Sequence, residues 1–102
     1  MIKYSVLYPT TENGHFDHDY YRDVHLPLIK ARMGDYLVSY SIDKILSAPD
    51  GTPAPYVAAC HLICHSAEAL QKGMAGHVDE IVGDVDNFTN IKSVKWIAEV
   101  VV

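Results

Sequence analysis

The stretch that most limits the fold is "YVAACHLICH", residues 56–65. It is preceded by "SAPDGTPAP", dense in turn formers, and its β-branched, aromatic and small apolar side chains read as a strand. Odd and even positions are both largely apolar, so the strand needs cover on both faces and belongs in the middle of a sheet. The rest of the chain must then supply strands to flank it and helices to cover it.

Those elements are present. "IKYSVLYP" alternates, with Ile2, Tyr4, Val6 and Tyr8 on one face and Lys3, Ser5 and Leu7 on the other. "YLVSYSIDKIL" sets Val38, Tyr40 and Ile42 against Ser39, Ser41 and Asp43, and "SVKWIAEVVV" places Val94, Trp96, Ala98 and Val100 on one face. Between them, Asp17 is a good N-cap for a helix whose Tyr20, Val24, Leu28 and Ala31 recur at helical spacing until Gly34 stops it. Ser66 caps a second helix with a stripe of Ala67, Leu70 and Met74. It breaks or bends near Gly76 before Val78, Ile81 and Val82 resume. The order β-α-β-β-α-β with right-handed crossovers gives an α+β, ferredoxin-like fold: a four-stranded antiparallel sheet with both helices on one face, in a single domain over 1–102. The bare face needs a cover of its own, and a second copy is the simplest, which predicts a homodimer packed through its sheet faces.

With 102 residues, 49% of them hydrophobic, the chain can form one core but sits at the small end of domain sizes, where oligomerisation often adds buried surface. Eight Lys and Arg stand against 13 Asp and Glu, with no basic cluster, so nucleic acid is not an expected partner. No apolar run approaches the ~20 residues that span a bilayer and no signal-peptide pattern opens the chain, so the expected location is cytoplasmic and no membrane partner is expected. Cys60 and Cys64 are four apart on one strand, roughly 13 Å, too far to bond to each other.

Chemistry concentrates in "FDHDYYRDVHLPLIKARMGD", residues 16–35. On a helical wheel Tyr20, Val24, Leu28 and Ala31 define the buried direction, and Tyr21 and His25, four apart, are neighbours on its shoulder. Pro27 lacks the N–H that would bond the Asp23 carbonyl, so the helix should kink or loosen just past His25. Two readings stay open. Tyr21 and His25 are half-buried edge residues beside a tolerated proline, or they line a polar pocket where an imidazole of pKa near ~6.5 shuttles protons and a phenol donates a hydrogen bond. His61, inside the apolar strand, needs a partner as a core residue or serves such a pocket. His77, beside the Gly76 break, faces either solvent or the same cleft. His15, His18 and His65 read as solvated or loop-edge residues. His61 and His65 lie roughly 13 Å apart on their strand, so they cannot share an ion and no metal site is expected. Neither a phosphate loop nor a nucleophile elbow is present.

"MIKYSVLYP", "FDHDYYRDVHLPLIKARMGD", "APYVAACHLICHS" and "GHVDEIVGDVDNFTNI" together resemble the EthD family, named after a component of a bacterial ethyl tert-butyl ether degradation cluster. The similarity covers nearly the whole chain. Its most specific part is Phe16, Asp17, Tyr20, Tyr21, His25 and Pro27. The resemblance implies a dimeric α+β barrel, with Tyr21 and His25 as catalytic residues and His61 and His77 as substrate-binding residues. It also implies a small catabolic enzyme or accessory protein associated with oxidoreductases, with room for a partner oxidase. Such a protein would bind an apolar or aromatic small molecule in a cleft between helices and sheet and use His/Tyr acid-base chemistry. Nicotinamide and flavin fingerprints are missing, so no cofactor is expected and the enzymatic options are oxidoreductase-like or cofactorless lyase or isomerase chemistry. The alternative is a non-catalytic dimeric ligand-binding module.

Overall fold

The computed structural model describes all residues, Met1–Val102. Strands β1 (Ile2–Pro9), β2 (Ser39–Lys44), β3 (Tyr56–Cys64) and β4 (Val94–Glu99) form one sheet in the order β2-β3-β1-β4, every neighbouring pair antiparallel. The doubly apolar strand is central, as its composition requires. In register, Tyr4 lies opposite Leu62 and Ile97, and Val6 opposite Cys60. Tyr8, Ala58, Cys60, Leu62 and Cys64 form the sheet side of the core. The molecule measures 38 × 33 × 19 Å. Its short dimension is the depth of one helical layer on one sheet, which leaves the other sheet face bare.

The helices end where their sequence signals place them. Asp17 Oδ1 accepts from the Tyr20 amide at 3.0 Å, and Ser66 Oγ accepts from the Ala69 amide at 3.0 Å. Gly34 ends the first helix at φ 56°, and Lys30 Nζ donates to the Gly34 and Leu37 carbonyls at 2.9 and 2.8 Å. The second helix is two pieces, α3 (Ala67–Met74) and α4 (Val78–Gly83), separated at Gly76 with φ 79°.

The first helix differs from its expected packing. It runs as α1 (His18–Tyr20), a π-helical turn over Tyr21–His25, and α2 (Leu26–Met33). The Leu26 amide bonds the Tyr21 carbonyl, five residues back. This wider turn sits where Pro27 withholds a donor and crowds the preceding carbonyl, and it delays the rotation of every residue after it. The inward side is therefore Tyr21, His25, Leu26, Ile29 and Met33, all buried. Tyr20 and Leu28 are half-buried, and Val24 and Ala31 are exposed. The expected stripe assumed an unbroken 3.6-residue period, and the π turn invalidates that assumption.

Gly73 shows how closely α3 approaches the first helix. A Cβ there would lie 2.8 Å from Tyr36 Cβ and 2.9 Å from Met33 Cε. Gly73→Ala removes a helix-weakening glycine, yet it should lower stability by about 1–3 kcal/mol because the Tyr36 Cβ cannot swing away. Urea unfolding of the variant measures the sign.

Candidate active site

The site is assembled by pinning the loop before α1 to the segment before β4. Asp17 N–H donates to the Phe88 carbonyl at 2.8 Å, Thr89 Oγ1 to the His15 carbonyl at 2.6 Å, and His15 N–H to Asn90 Oδ1 at 2.9 Å. These bonds bring Phe88 and Asp84, the residue capping the end of α4, against the inner side of the first helix. Phe88 packs 4.6 Å from the His25 ring and 4.9 Å from Tyr21, centroid to centroid. Tyr21 and His25 stack at 5.5 Å with planes 15° apart.

His25 is 3% exposed, and its Nδ1 lies 2.9 Å from Asp84 Oδ2. Asp84 Oδ1 accepts from the Tyr20 hydroxyl at 2.6 Å and from Asn87 Nδ2 at 2.9 Å. Burial works to raise the Asp84 carboxyl, but the bonds from Tyr20, Asn87 and His25 outweigh it and hold the group below the usual carboxylate range. An ionised Asp84 requires His25 to carry its proton on Nδ1, so the Nε2 lone pair is the free base. Nε2 has no protein partner and is not among the sealed polar atoms. Burial dominates the imidazole and lowers its pKa despite Asp84, so the ring is neutral at neutral pH. A hollow of about 310 Å³ outside the Phe16 and Phe88 rings is lined also by His15, Asp17, Asp86 and Asn87.

The Tyr21 hydroxyl points the other way. It lies against the Cys60 thiol and the Tyr8 hydroxyl, deep between helix and sheet, and burial there raises its pKa far above the ordinary phenol value. The same burial pushes the Cys60 thiol up to about 11, with the neighbouring Tyr21 hydroxyl acting against it.

A family model described as the EthD domain matches residues 14–92. The chain belongs to the EthD family. Its structure is similar to that of an EthD-like protein from Ralstonia eutropha, with 45% identity, TM-score 0.92, and coverage of 99% of this chain and 92% of that one. It is also similar to an ethyl tert-butyl ether degradation (EthD) family protein from Bacillus halodurans, with 21% identity, TM-score 0.75 and 98% coverage of each. A DABB family protein with a ferredoxin-like fold from Mesorhizobium loti matches at 12% identity and TM-score 0.63, covering 99% of this chain and 97% of that one. The last two likenesses bear on the fold alone. No curated protein matches the chain.

In this EthD chain the four candidate residues fall in three places. Tyr21 and His25 are together. His77 is half-buried at the corner where α4 begins, with Glu80 nearby. His61 is on the bare sheet face, its Nδ1 2.7 Å from Ser5 Oγ and its Nε2 3.2 Å from Asp43 Oδ2. That Ser-His-Asp row spans three strands, but Ser5 is 1% exposed in mid-strand, where its neighbours' amides are committed to the sheet ladder. It lacks the access and free amide donors that a nucleophilic serine needs, and it serves to satisfy polar groups on a face that also carries Lys3, Ser39 and Ser41. No three His, Cys, Asp or Glu side chains converge in a metal-ligating group. The sequence does not single out Asp84 or Phe88, and it marks Tyr20 for packing and not for its hydroxyl bond to Asp84. One available signal was a carboxylate at the C-terminal end of a helical run, where the helix dipole disfavours it.

The lowered His25 pKa has a consequence for stability. Below its usual 6.5 the unfolded chain takes up a proton that the folded site resists, so the contribution is complete above pH 6.5 and is lost as pH falls beneath it. His18, lowered mainly by burial, acts in the same direction. Urea midpoints should fall between about pH 7 and pH 5, and His25→Gln should reduce that slope; an unchanged slope would remove His25 as its source.

Proposed function

We propose that this EthD-family protein is a small catabolic catalyst that moves a proton on an apolar or aromatic small molecule, with His25 Nε2 as general base and acid. The observation that carries this is the 2.9 Å contact between His25 Nδ1 and a carboxylate already held by Tyr20 and Asn87. Asp84 fixes the tautomer and orientation of the ring and stabilises the imidazolium that forms when Nε2 takes the proton; the proton then returns to another atom of the substrate. Tyr21 supports the ring by stacking. Substrate would approach from the hollow beside Phe16 and Phe88.

The biological setting we propose is catabolic oxidation beside a partner oxidase, following the membership of the EthD family and the ether-degradation cluster that family is named after. A reducing, cytoplasmic compartment suits the two free buried thiols. The bare sheet face, with Leu7 and Ile63 half-buried and Val94 and Trp96 at 39% and 46% exposure, is proposed to meet a second copy. Trp96→Glu should then shift the light-scattering mass from dimer to monomer; a wild-type monomer would end the dimer proposal.

One observation favours a non-catalytic, ligand-binding module. The Tyr21 and His25 rings are enclosed by Phe16 and Phe88, as packing residues are. Turnover of a panel of aromatic ketones and phenols, followed by NMR, separates the two. A catalyst loses about 10²–10⁴-fold in rate in His25→Ala and shifts its pH profile in Asp84→Asn. A rate indifferent to both changes overturns the catalytic proposal.

A further inference from the structure

The helical layer does not cover the sheet evenly. Tyr4 and Ile97 are directly opposite each other on β1 and β4, and both face the helix side. Ile97 is nevertheless 55% exposed. The cause is the break at Gly76, where α3 stops at Met74 and α4 leaves in a new direction, so the last strand has no helix above it. What remains is a groove of about 430 Å³ whose walls are Leu70, Met74 and Val78 from the helices and whose floor is Tyr4 and Ile97.

We propose that this groove is a binding site for one neutral, apolar small molecule carrying a single hydrogen-bonding oxygen. Its volume falls within the range of small-molecule pockets, and its walls have the usual composition: apolar surface with very few polar groups. No charged side chain lines it, so an ionic ligand would lose its hydration without compensation. The polar handle is the Tyr4 hydroxyl. Tyr4 is half-buried, its hydroxyl makes no hydrogen bond to the protein, and it is not sealed among the unpartnered buried atoms. Such a hydroxyl gains a partner when an oxygen-bearing ligand lies along Ile97 and Met74. The Gln71 amide at the rim offers a second, adaptable contact. None of these residues belongs to the His25 and Asp84 site, and the groove opens on the helix side, away from the face proposed for a second copy. The assignment therefore stands apart from the catalytic one.

Naphthol, naphthalene and naphthalene sulfonate serve as probes of the full-length protein, with binding followed through the methyl NMR signals of Leu70, Met74, Val78 and Ile97. Naphthol should bind saturably with shifts centred on those methyls, about five-fold more tightly than naphthalene, and the sulfonate should bind more weakly than both. Tyr4→Phe should erase the preference for naphthol over naphthalene. Val78→Trp, at an exposed position, should block both ligands while leaving the unfolding midpoint near wild type, and His25→Ala should leave naphthol affinity unchanged. Absent or non-saturable naphthol shifts, sulfonate binding as tight as naphthol, a naphthol preference that survives Tyr4→Phe, or shifts centred on Trp96 and Leu7 would each overturn the proposal.

Discussion

Proline has no N–H to give, and Pro27 stands where an unbroken first helix would draw one. The chain answers with a five-residue bond from the Leu26 amide to the Tyr21 carbonyl, which widens the turn ahead of the ring. Everything at the candidate active site depends on that adjustment. It turns Tyr21 and His25 inward, stacks their rings, and lets the regular helix of Leu26, Ile29 and Met33 begin in register with the core. Burying Leu26 contributes roughly 1.5–3 kcal/mol, so the core itself holds the π turn in place.

Two histidine-carboxylate pairs occupy opposite faces of this sheet, and burial gives them different characters. Asp43, beside His61, has a side chain 57% exposed, so water competes for the contact. Asp84, beside His25, has a side chain 13% exposed and is bound by three donors. A carboxylate that is both sheltered and fully hydrogen-bonded keeps its charge and its position, as a residue orienting a base must. The neutral His25 imidazole and the ionised Asp84 are thus set by one environment, since desolvation penalises the isolated cation while the donors sustain the anion.

Sequence periodicity carried the fold well because the strands are short and their alternation is clean. Ile2 to Tyr8 shows its helix-facing side directly, and the doubly apolar Tyr56 to Cys64 can only be central. Local chemistry likewise marked Asp17, Ser66, Gly34 and Gly76 as helix boundaries. The inner side of the first helix was misjudged because a wheel assumes constant pitch, although Pro27 did signal the irregularity. Half of the candidate site was legible, since Tyr21 and His25 are four apart in one helix. Its other half was not, because Asp84 is 59 residues from His25 and joins it only through tertiary packing. Nothing in local spacing separates His61 from His25 either; only the strand register places His61 on the far face.

The strand order has a bearing on how the molecule comes into being. β1 is hydrogen-bonded on one side to β3 and on the other to β4, the element farthest from it along the chain. Its ladders join Ser5 to His61 and Ser5 to Trp96, so both close long loops, and the second costs only slightly more closure entropy but needs the last strand to be present. On a ribosome, the first strand waits with one edge unpaired until nearly the whole domain has been made, so its apolar positions depend on β3 and the helices for early shelter.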